Sequence, residues 1–310
     1  MNLYPKKIDI VEMGLRDGLQ SWPLSAGQGL PITTEEKFEV LELLSEAGLK
    51  EIEAVAFVSP KAVPQMADAA ELFALLKSKG RVPGVVYSAL VPNEQGFKKA
   101  LDSGVAKVAV FTAASESFNQ KNINATIDES FTRFAPVLQL AAQNAVVVRG
   151  YVSTAFHCPF EGKVSADKTA DVAMRLVDLG ITDISLGDTI GKATPVEVDA
   201  LLELLIVKRG LKPDLFAMHF HDTWGRAIAN IMVSLAHFIT RFDASVGGIG
   251  GCPYAPGATG NVATNDVVSL LHDLGIQTGI DLGKLNQAGY RLEEILGKTL
   301  PSHVMAACRK

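Results

Sequence analysis

Cysteine is scarce in this chain, and its pattern excludes two common kinds of site. Only three cysteines occur among the 310 residues, Cys158, Cys252 and Cys308. The number is odd, and the spacings match neither a zinc site nor a disulfide framework. A reducing cytoplasm is the setting that this cysteine content favours.

The chain also lacks long apolar runs and an excess of positive charge. No run is long enough to cross a bilayer, and residues 1–14 contain no signal-peptide core, so no membrane partner is expected. The 29 basic residues against 34 acidic ones give a net charge of −5, which leaves no basic footprint for nucleic acid. Neither a dinucleotide-binding glycine motif nor a Walker A loop is present.

Strand-like and helix-like segments alternate through the chain. Eight short runs rich in Val and Ile have no hairpin-length turn between them, which is typical of parallel strands covered on both faces. The predicted strands are Ile8–Met13, Ile52–Phe57, Val85–Val91, Lys107–Thr112, Val146–Thr154, Asp183–Leu186, Phe216–Phe220 and Ala244–Ile249. This pattern predicts an α/β protein with a (β/α)₈ TIM barrel over about residues 8–275, within a single domain of residues 1–310. A doubly wound open sheet is the alternative.

Helix start and stop signals fill the segments between the strands. Thr33-x-x-Glu36 and Thr194-Pro195-Val196-Glu197 are capping boxes, the second with Pro at the first helical position. The glycines that close helices before the next strand are Gly48, Gly104, Gly180 and Gly210. The tail, Asp281–Lys310, is predicted to add one amphipathic helix and a frayed end beyond the barrel.

Polar residues follow the predicted strands, where barrels of this class place their active sites. His219 and His221 alternate along one strand and therefore share a face, so they can offer adjacent nitrogens to one divalent ion. With Asp17 and a further oxygen donor they form a mixed ligand set that suits Mg²⁺ or Mn²⁺. Arg16 adds a fixed positive charge that can stabilise an enolate or a carboxylate. A pair of core or surface histidines is the simpler alternative.

Three further residues are candidates for proton transfer or for orienting other groups. Glu53 lies early in an apolar strand, where a buried carboxylate needs a partner such as Arg16 or a metal. Asp188 follows the sixth strand. Cys252 is a candidate acid in a loop where six of the fourteen residues from 247 to 260 are glycine, a composition that fits a lid. Together these groups indicate a metal-assisted reaction at a hydroxy or keto acid through a stabilised carbanion.

Seven motifs follow one another in a recognisable order. They are Gly14-Leu15-Arg16-Asp17-Gly18-Leu19-Gln20, Phe57-Val58-Ser59-Pro60-Lys61, Ala113-Ala114-Ser115-Glu116, Cys158-Pro159-Phe160-Glu161-Gly162-Lys163, Ser185-Leu186-Gly187-Asp188-Thr189-Ile190-Gly191, His219-Phe220-His221-Asp222-Thr223 and Gly250 through Asn261. In this order the chain resembles the 3-hydroxy-3-methylglutaryl-CoA lyase family of the DRE-TIM metallolyases. The likeness covers nearly the whole chain.

The resemblance implies a reaction and a set of roles. The reaction is retro-Claisen cleavage of 3-hydroxy-3-methylglutaryl-CoA to acetoacetate and acetyl-CoA. The implied ligands of a divalent cation, Mg²⁺ or Mn²⁺, are Asp17, His219, His221 and Asn261. The implied catalytic residues are Arg16 at the enolate, Cys252 at a proton transfer, and Glu53, Asp188 and His219. An acyl-CoA is the implied partner, and proteins of this family often form homodimers or higher homo-oligomers.

Three departures from the family pattern leave the acyl group open. Ser21–Thr33 is longer than expected, Ala62 stands where a bulky aromatic is expected, and His157 stands where a small residue is expected. They keep open a related branched 3-hydroxyacyl-CoA as the substrate. Less favoured alternatives are a carboligase that condenses acetyl-CoA with a 2-keto acid, a zinc hydrolase and a non-catalytic acyl-CoA binder. The residues that grip CoA are not assigned, although Lys61, Lys121 and Lys163 follow catalytic-face elements.

Overall fold

Eight parallel strands close into a barrel, which confirms the predicted (β/α)₈ architecture. The computed structural model describes residues 3–20, 32–251 and 260–309. The strands are β1 (Asp9–Glu12), β2 (Glu51–Ala56), β3 (Val86–Leu90), β4 (Lys107–Ala113), β5 (Val147–Ser153), β6 (His157–Cys158), β7 (Gly162–Lys163), β8 (Ile184–Asp188), β9 (Phe216–Phe220) and β10 (Arg241–Ala244). Around the barrel the strand order is β1-β10-β9-β8-β5-β4-β3-β2, and β6 and β7 form a separate antiparallel pair.

Helices follow the barrel strands and cover them. The α-helices are α1 (Thr34–Glu46), α2 (Ala69–Lys79), α3 (Glu94–Asp102), α4 (Glu116–Ile123), α5 (Ile127–Gln143), α6 (Ala166–Asp178), α7 (Pro195–Leu202), α8 (Ala227–Ala236), α9 (Thr264–Asp273), α10 (Leu282–Leu296) and α11 (His303–Cys308). Two π-helical segments span Gly14–Gly18 and Glu203–Lys208, and short 3₁₀ turns span Pro64–Met66, Pro213–Leu215 and Val246–Gly248. Within the described ranges no helix is long and apolar enough to cross a membrane.

The predicted capping signals act where expected. The Thr33 hydroxyl accepts the Glu36 amide at 3.2 Å, and the Glu36 carboxylate accepts the Thr33 amide at 2.9 Å. At α7 the Glu197 carboxylate accepts the Thr194 amide at 3.0 Å. Gly48 ends the first helical segment with a φ of 103°, and a Cβ there would collide with the Gly279 carbonyl oxygen. This position therefore needs glycine both for its backbone angle and for its close packing.

The predicted last strand, Ala244–Ile249, is wrong. The strand is Arg241–Ala244, and the chain then turns through Val246–Gly248, where Gly247 has a φ of 64°. Arg241 and Asp243 pair inside the barrel with Asp183 and Arg149, at 2.8 and 2.6 Å. Because Asp243 is compensated across the barrel, it is buried, whereas Arg241 at the start of the strand stays partly exposed, so the sequence of the strand does not look apolar.

The tail is more ordered than predicted. The amphipathic helix is confirmed as α10, which packs against α1 through an ion pair between Arg291 and Glu39 at 2.8 Å. The expected frayed end is wrong, because α11 extends to Cys308. Its cap is Ser302, whose hydroxyl accepts the Met305 amide at 3.1 Å, and Met305 is buried. The buried methionine anchors this last turn.

An ionic layer fills the barrel interior near the N-terminal ends of its strands. It consists of Glu51, Lys107, Arg149, Asp183, Arg241 and Asp243. Lys107 Nζ lies 2.6 Å from Glu51 and 2.7 Å from Asp183, so two strands and a loop are tied at one point. The arrangement alternates cations with carboxylates, which is how a protein interior tolerates charge.

The buried carboxylate of Glu12, at the end of β1, links three elements around the first strand. Glu12 accepts the backbone amides of Gly14 and Val246, both at 2.8 Å, and the Thr264 hydroxyl at 2.6 Å. It thus joins β1, the turn after β10 and the start of α9. Burial outweighs these hydrogen bonds and raises the pKa of Glu12 to about 7.

We predict that Glu12→Gln changes the pH dependence of stability. Folding raises the pKa of Glu12 from 4.5 to about 7, so its contribution is fully present below pH 4.5 and is lost as the pH rises through 7. The free energy of unfolding of Glu12→Gln, relative to wild type, should rise by up to about 3 kcal/mol between pH 4.5 and 8. Urea unfolding across that range measures the difference, and a difference that does not vary with pH would contradict the prediction.

Candidate active site

The π-helical segment after β1 brings Arg16 and Asp17 to one site. In a strand, adjacent residues face opposite ways, but both residues lie beyond the strand's end. The Met13 carbonyl accepts the amides of Arg16, Asp17 and Gly18 at 3.2, 2.8 and 3.1 Å. Gly18 permits this turn because a Cβ there would lie 2.6 Å from the Ile249 side chain. As a result Arg16 Nη1 donates to Asp17 Oδ1 at 2.7 Å.

The guanidinium of Arg16 is buried between carboxylates. Its Nε donates to Glu53 Oε1, and the other oxygen of Glu53 accepts the Tyr151 hydroxyl at 2.9 Å. The Tyr151 ring centroid lies 5.6 Å from the guanidinium carbon. The expectation that Arg16 is the partner of Glu53 is confirmed. Although burial opposes the charge, Glu53 and Asp17 hold the pKa of Arg16 above its ordinary range.

Asp17 stands at the centre of a buried cluster with both histidines and Asn261. Its Oδ2 accepts Asn261 Nδ2 at 2.8 Å and lies 3.6 Å from His221 Nε2 and 3.8 Å from His219 Nε2. Burial alone would raise the pKa of Asp17, but Arg16 and the histidines hold it well below its usual range. Burial lowers the pKa of His221, so this imidazole favours the neutral form that binds metals.

The cluster fits a divalent cation. Within the described residues, the donor atoms of Asp17, His219 and His221 lie within 4.8 Å of one another. Asn261 Oδ1 is buried and has no hydrogen-bond partner in that part of the chain. A buried polar atom without a partner is costly. A carboxylate, two imidazoles and an amide oxygen are together a ligand set for a divalent ion.

Three buried neighbours of the site were not found by sequence reasoning. Asp243 Oδ2 lies 3.3 Å from His219 Nδ1. Arg149 donates a hydrogen bond to Asp243, and Tyr151 donates one to Glu53. Arg149 and Tyr151 were detectable, because they alternate along the correctly predicted fifth strand and face the barrel interior. Asp243 carries no such signal, because the sequence pattern predicts the last strand after it.

The remaining predicted residues lie in different surroundings. Asp188 ends β8 and is buried, with its two oxygens accepting the Lys192 and Ala193 amides at 3.0 and 2.9 Å. Burial raises its pKa to about 7, and among the described residues it does not line the cavity. Cys252 and most of the long Ser21–Thr33 segment lie outside the described residues.

A cavity of about 450 Å³ opens beside the cluster. One end is polar and contains Arg16, Asp17 and the two histidines, and the polar residues Asn93, Asn122 and Arg133 also line it. The apolar wall consists of Ala56, Val58, Ala62, Val63, Leu90, Phe111, Phe118, Ile123 and Val152. Such a division suits a ligand with an anionic or hydroxylated head and an apolar body.

The departures from the family pattern fall both inside and outside this cavity. Ala62 lines it and is exposed. His157 instead faces Glu197 at 3.1 Å, and Lys163 approaches the same carboxylate at 3.0 Å. Lys121 lies over the Phe160 ring at 3.8 Å. Of the residues that the structure describes, neither His157 nor Lys61, Lys121 and Lys163, which follow catalytic-face elements, are in the cavity wall.

Comparison with known proteins agrees with this geometry. The family model described as HMGL-like matches residues 7–290. The chain belongs to the HMGL-like family. It is 49% identical over 307 residues to a 3-hydroxy-3-isohexenylglutaryl-CoA/hydroxymethylglutaryl-CoA lyase of Pseudomonas aeruginosa, covering 99% of this chain and 98% of that protein.

Solved structures of hydroxymethylglutaryl-CoA lyases share the fold of this HMGL-like protein. The structure from Pseudomonas aeruginosa has a TM-score of 0.91 at 48% identity and covers 99% of this chain and 98% of that one. A structure from Acinetobacter baumannii, in complex with coenzyme A and 3-methylmalate, has a TM-score of 0.90 at 34% identity and covers 100% and 98%.

We predict that Tyr151→Phe destabilises the protein. The change leaves one oxygen of the buried Glu53 carboxylate without its donor, which should lower the free energy of unfolding by about 1–3 kcal/mol. Ser88→Ala on β3 is the matched control, because the Ser88 hydroxyl is buried without a hydrogen-bond partner among the described residues. Denaturant unfolding compares the two, and a loss for Tyr151→Phe no greater than for the control would show the prediction wrong.

Proposed function

We propose that this enzyme is a divalent-metal-dependent carbon–carbon lyase that cleaves 3-hydroxy-3-methylglutaryl-CoA to acetoacetate and acetyl-CoA. The observation that carries the proposal is that Arg16, Asp17, His219 and His221 line the polar end of one cavity, with Asn261 bound to Asp17 beside them. Membership of the HMGL-like family and relatives named as such lyases support it. We assign Asp17, His219, His221 and Asn261 as the ligands of Mg²⁺ or Mn²⁺.

The proposed reaction breaks one bond and shifts one proton. The C3 hydroxyl gives up its proton to a base, the C2–C3 bond breaks, and its electrons pass into the thioester as an enolate. The bound divalent ion would acidify that hydroxyl by polarising its oxygen. Arg16 supplies a fixed positive charge for the enolate. Cys252 is proposed to protonate its carbon, which completes acetyl-CoA, and the proton taken up by the base then restores the thiol.

The proposed acidic residues act through their neighbours. Glu53 fixes the guanidinium of Arg16, and its second oxygen is held by Tyr151. Both oxygens of Asp188 accept backbone amides, which supports a role in ordering the turn beyond β8, next to the cavity residues Gly187 and Thr189. His219 would hold the ion, and it lines the cavity together with Arg16.

Product analysis tests this function. Incubation with 3-hydroxy-3-methylglutaryl-CoA and Mg²⁺ or Mn²⁺ should release acetoacetate and acetyl-CoA, and a chelator should stop the release. Arg16→Lys should lower kcat on the order of 10²–10³-fold, because lysine keeps the charge but not the fork that spans Glu53 and Asp17. Asp17→Ala and His219→Ala should abolish metal-dependent turnover.

Arg209→Lys is the matched control for Arg16→Lys. Arg209 makes a surface ion pair with Asp171 at 2.7 Å, so its replacement should leave turnover unchanged. Cleavage by Asp17→Ala and His219→Ala at the wild-type rate would overturn the proposal. Condensation of acetyl-CoA with a 2-keto acid, without any cleavage, would assign the chain to the carboligases instead.

A second candidate substrate has a longer apolar branch at C3. The observation that favours it is the apolar wall of the cavity, which includes Ala62. The family pattern predicts a bulky aromatic residue at this position, so alanine leaves more room. The first relative described above is named for a 3-hydroxy-3-isohexenylglutaryl-CoA as well as for hydroxymethylglutaryl-CoA. We therefore propose that branched 3-hydroxyacyl-CoAs larger than the methyl compound also fit.

We predict that Ala62→Trp separates the two substrates. An indole at this position would fill part of the apolar space, so kcat/KM for an isohexenyl substrate should fall at least about tenfold relative to that for the methyl substrate, a loss of about 1.4 kcal/mol. Ala67→Trp is the control, because Ala67 is exposed and does not line the cavity. An equal effect of Ala62→Trp on both substrates would contradict the prediction.

The wider biological setting is also part of the proposal. We propose an acyl-CoA as the partner, a homodimer or a higher homo-oligomer as the assembly, and a cytoplasmic location. The relative crystallised with coenzyme A supports the first of these. We further propose that the barrel and its C-terminal helices act as one domain.

A further inference from the structure

The two ring nitrogens of His219 have different surroundings. Nε2 points toward the cluster and lies 3.8 Å from Asp17 Oδ2. Nδ1 lies 3.3 Å from Asp243 Oδ2, on the opposite side of the ring. Asp243 is only 1% exposed, so water does not compete for this contact. One nitrogen therefore faces the proposed ion, and the other faces a carboxylate.

The other partners of Asp243 are hydrogen-bond donors. Arg149 Nη2 donates to Oδ1 at 2.6 Å, and the Ser185 hydroxyl donates to Oδ2 at 2.7 Å. The ion pair with Arg149 keeps Asp243 as a carboxylate. An ionised carboxylate only accepts hydrogen bonds. The contact with His219 therefore requires the ring proton on Nδ1, which leaves the lone pair of Nε2 for a metal.

His221 lacks this support. Its Nε2 also faces Asp17, at 3.6 Å. Its Nδ1, however, is buried without a hydrogen-bond partner among the residues that the structure describes. The two imidazoles are neighbours, with ring centroids 5.2 Å apart, yet a carboxylate orients only the first. Asp243 therefore acts on one specific ligand rather than on the cluster in general.

We propose that Asp243 is a positioning residue that fixes the tautomer and the ring orientation of His219 for metal binding. Arg149 and Ser185 hold Asp243 in place for this task. The inference rests on the metal site of the proposed function and adds a residue to it. Carboxylates that accept the second ring proton of a metal-bound histidine commonly contribute about 10- to 100-fold to metal affinity.

The competing explanation is that Asp243 only completes the ionic layer of the barrel. Asp183 distinguishes the two explanations, because it belongs to the same layer without touching His219. It lies 3.5 Å from Arg149 Nε, 2.7 Å from Lys107 Nζ and 2.8 Å from Arg241 Nη1. Loss of either carboxylate should weaken folding, but only the loss of Asp243 should weaken metal binding.

Asp243→Asn should reverse the tautomer of His219. Arg149 only donates, so it attracts the single oxygen of the new amide. The amide NH₂ then faces His219 Nδ1, which must become the acceptor, and the ring proton moves to Nε2. That nitrogen can no longer bind a metal without losing its proton. The expected result is a 10- to 100-fold weaker affinity for Mn²⁺.

The experiment measures Mn²⁺ binding to the full-length protein by titration calorimetry. Wild type, Asp243→Asn and the matched control Asp183→Asn are compared, and thermal melting confirms that each is folded. Asp183→Asn should bind Mn²⁺ within about threefold of wild type. Equal affinities for wild type and Asp243→Asn, or equal losses in the two variants, would overturn the inference.

The tautomer of His219 can also be measured on the wild-type protein, so this test does not depend on whether a variant folds. Nitrogen-15 NMR of metal-free protein with labelled histidine reports which ring nitrogen carries the proton, and the chain has only six histidines to assign. The expected result is an Nδ1-protonated His219, and an Nε2-protonated His219 would overturn the inference. Wild type that binds Mn²⁺ but does not cleave the acyl-CoA would refute the proposed function alone, since affinity and tautomer are measured without turnover.

Discussion

The buried guanidinium of Arg16 is the group on which the rest of the site depends. A charge removed from water is costly unless ion pairs and hydrogen bonds compensate it. Glu53 on β2 and Asp17 on the π-helical segment do so, and Tyr151 on β5 occupies the remaining oxygen of Glu53. These contacts join the π-helical segment after β1 to β2 and β5. The turn of the backbone after β1 places Arg16 where these groups neutralise its charge.

The same need to compensate buried charges extends from the catalytic end of the barrel to the ionic layer near the N-terminal ends of the strands. Asp17 lies between Arg16 and the two histidines, and Asp243 lies between His219 and Arg149. Arg149 also contacts Asp183, another member of the ionic layer. Each carboxylate faces a cation or a donor, so removal of one member leaves another uncompensated. A site built in this way is preorganised, because its dipoles and charges do not have to move during a reaction.

The barrel and the central residues of the site could be predicted because parallel strands impose strong patterns. Because the carboxyl ends of parallel strands meet on one face of a barrel, the sequence pattern alone predicts that Arg16, Asp17, His219 and His221 lie together. The last strand could not be found, because Arg241-Phe242-Asp243-Ala244 is less apolar than the run that follows it. Asp183, just before β8, pairs with Arg241, and Arg149 on β5 pairs with the buried Asp243. Such pairing depends on long-range contacts that local patterns do not contain.

Anomalous diffraction from crystals grown with Mn²⁺ tests the central claim most directly. The claim is that Asp17, His219, His221 and Asn261 converge on one divalent ion next to the Arg16 guanidinium. The account predicts a single strong anomalous peak within coordination distance of all four side chains, with Asn261 bound through its oxygen. A peak elsewhere in the barrel, or none at this position in crystals saturated with Mn²⁺, would contradict it.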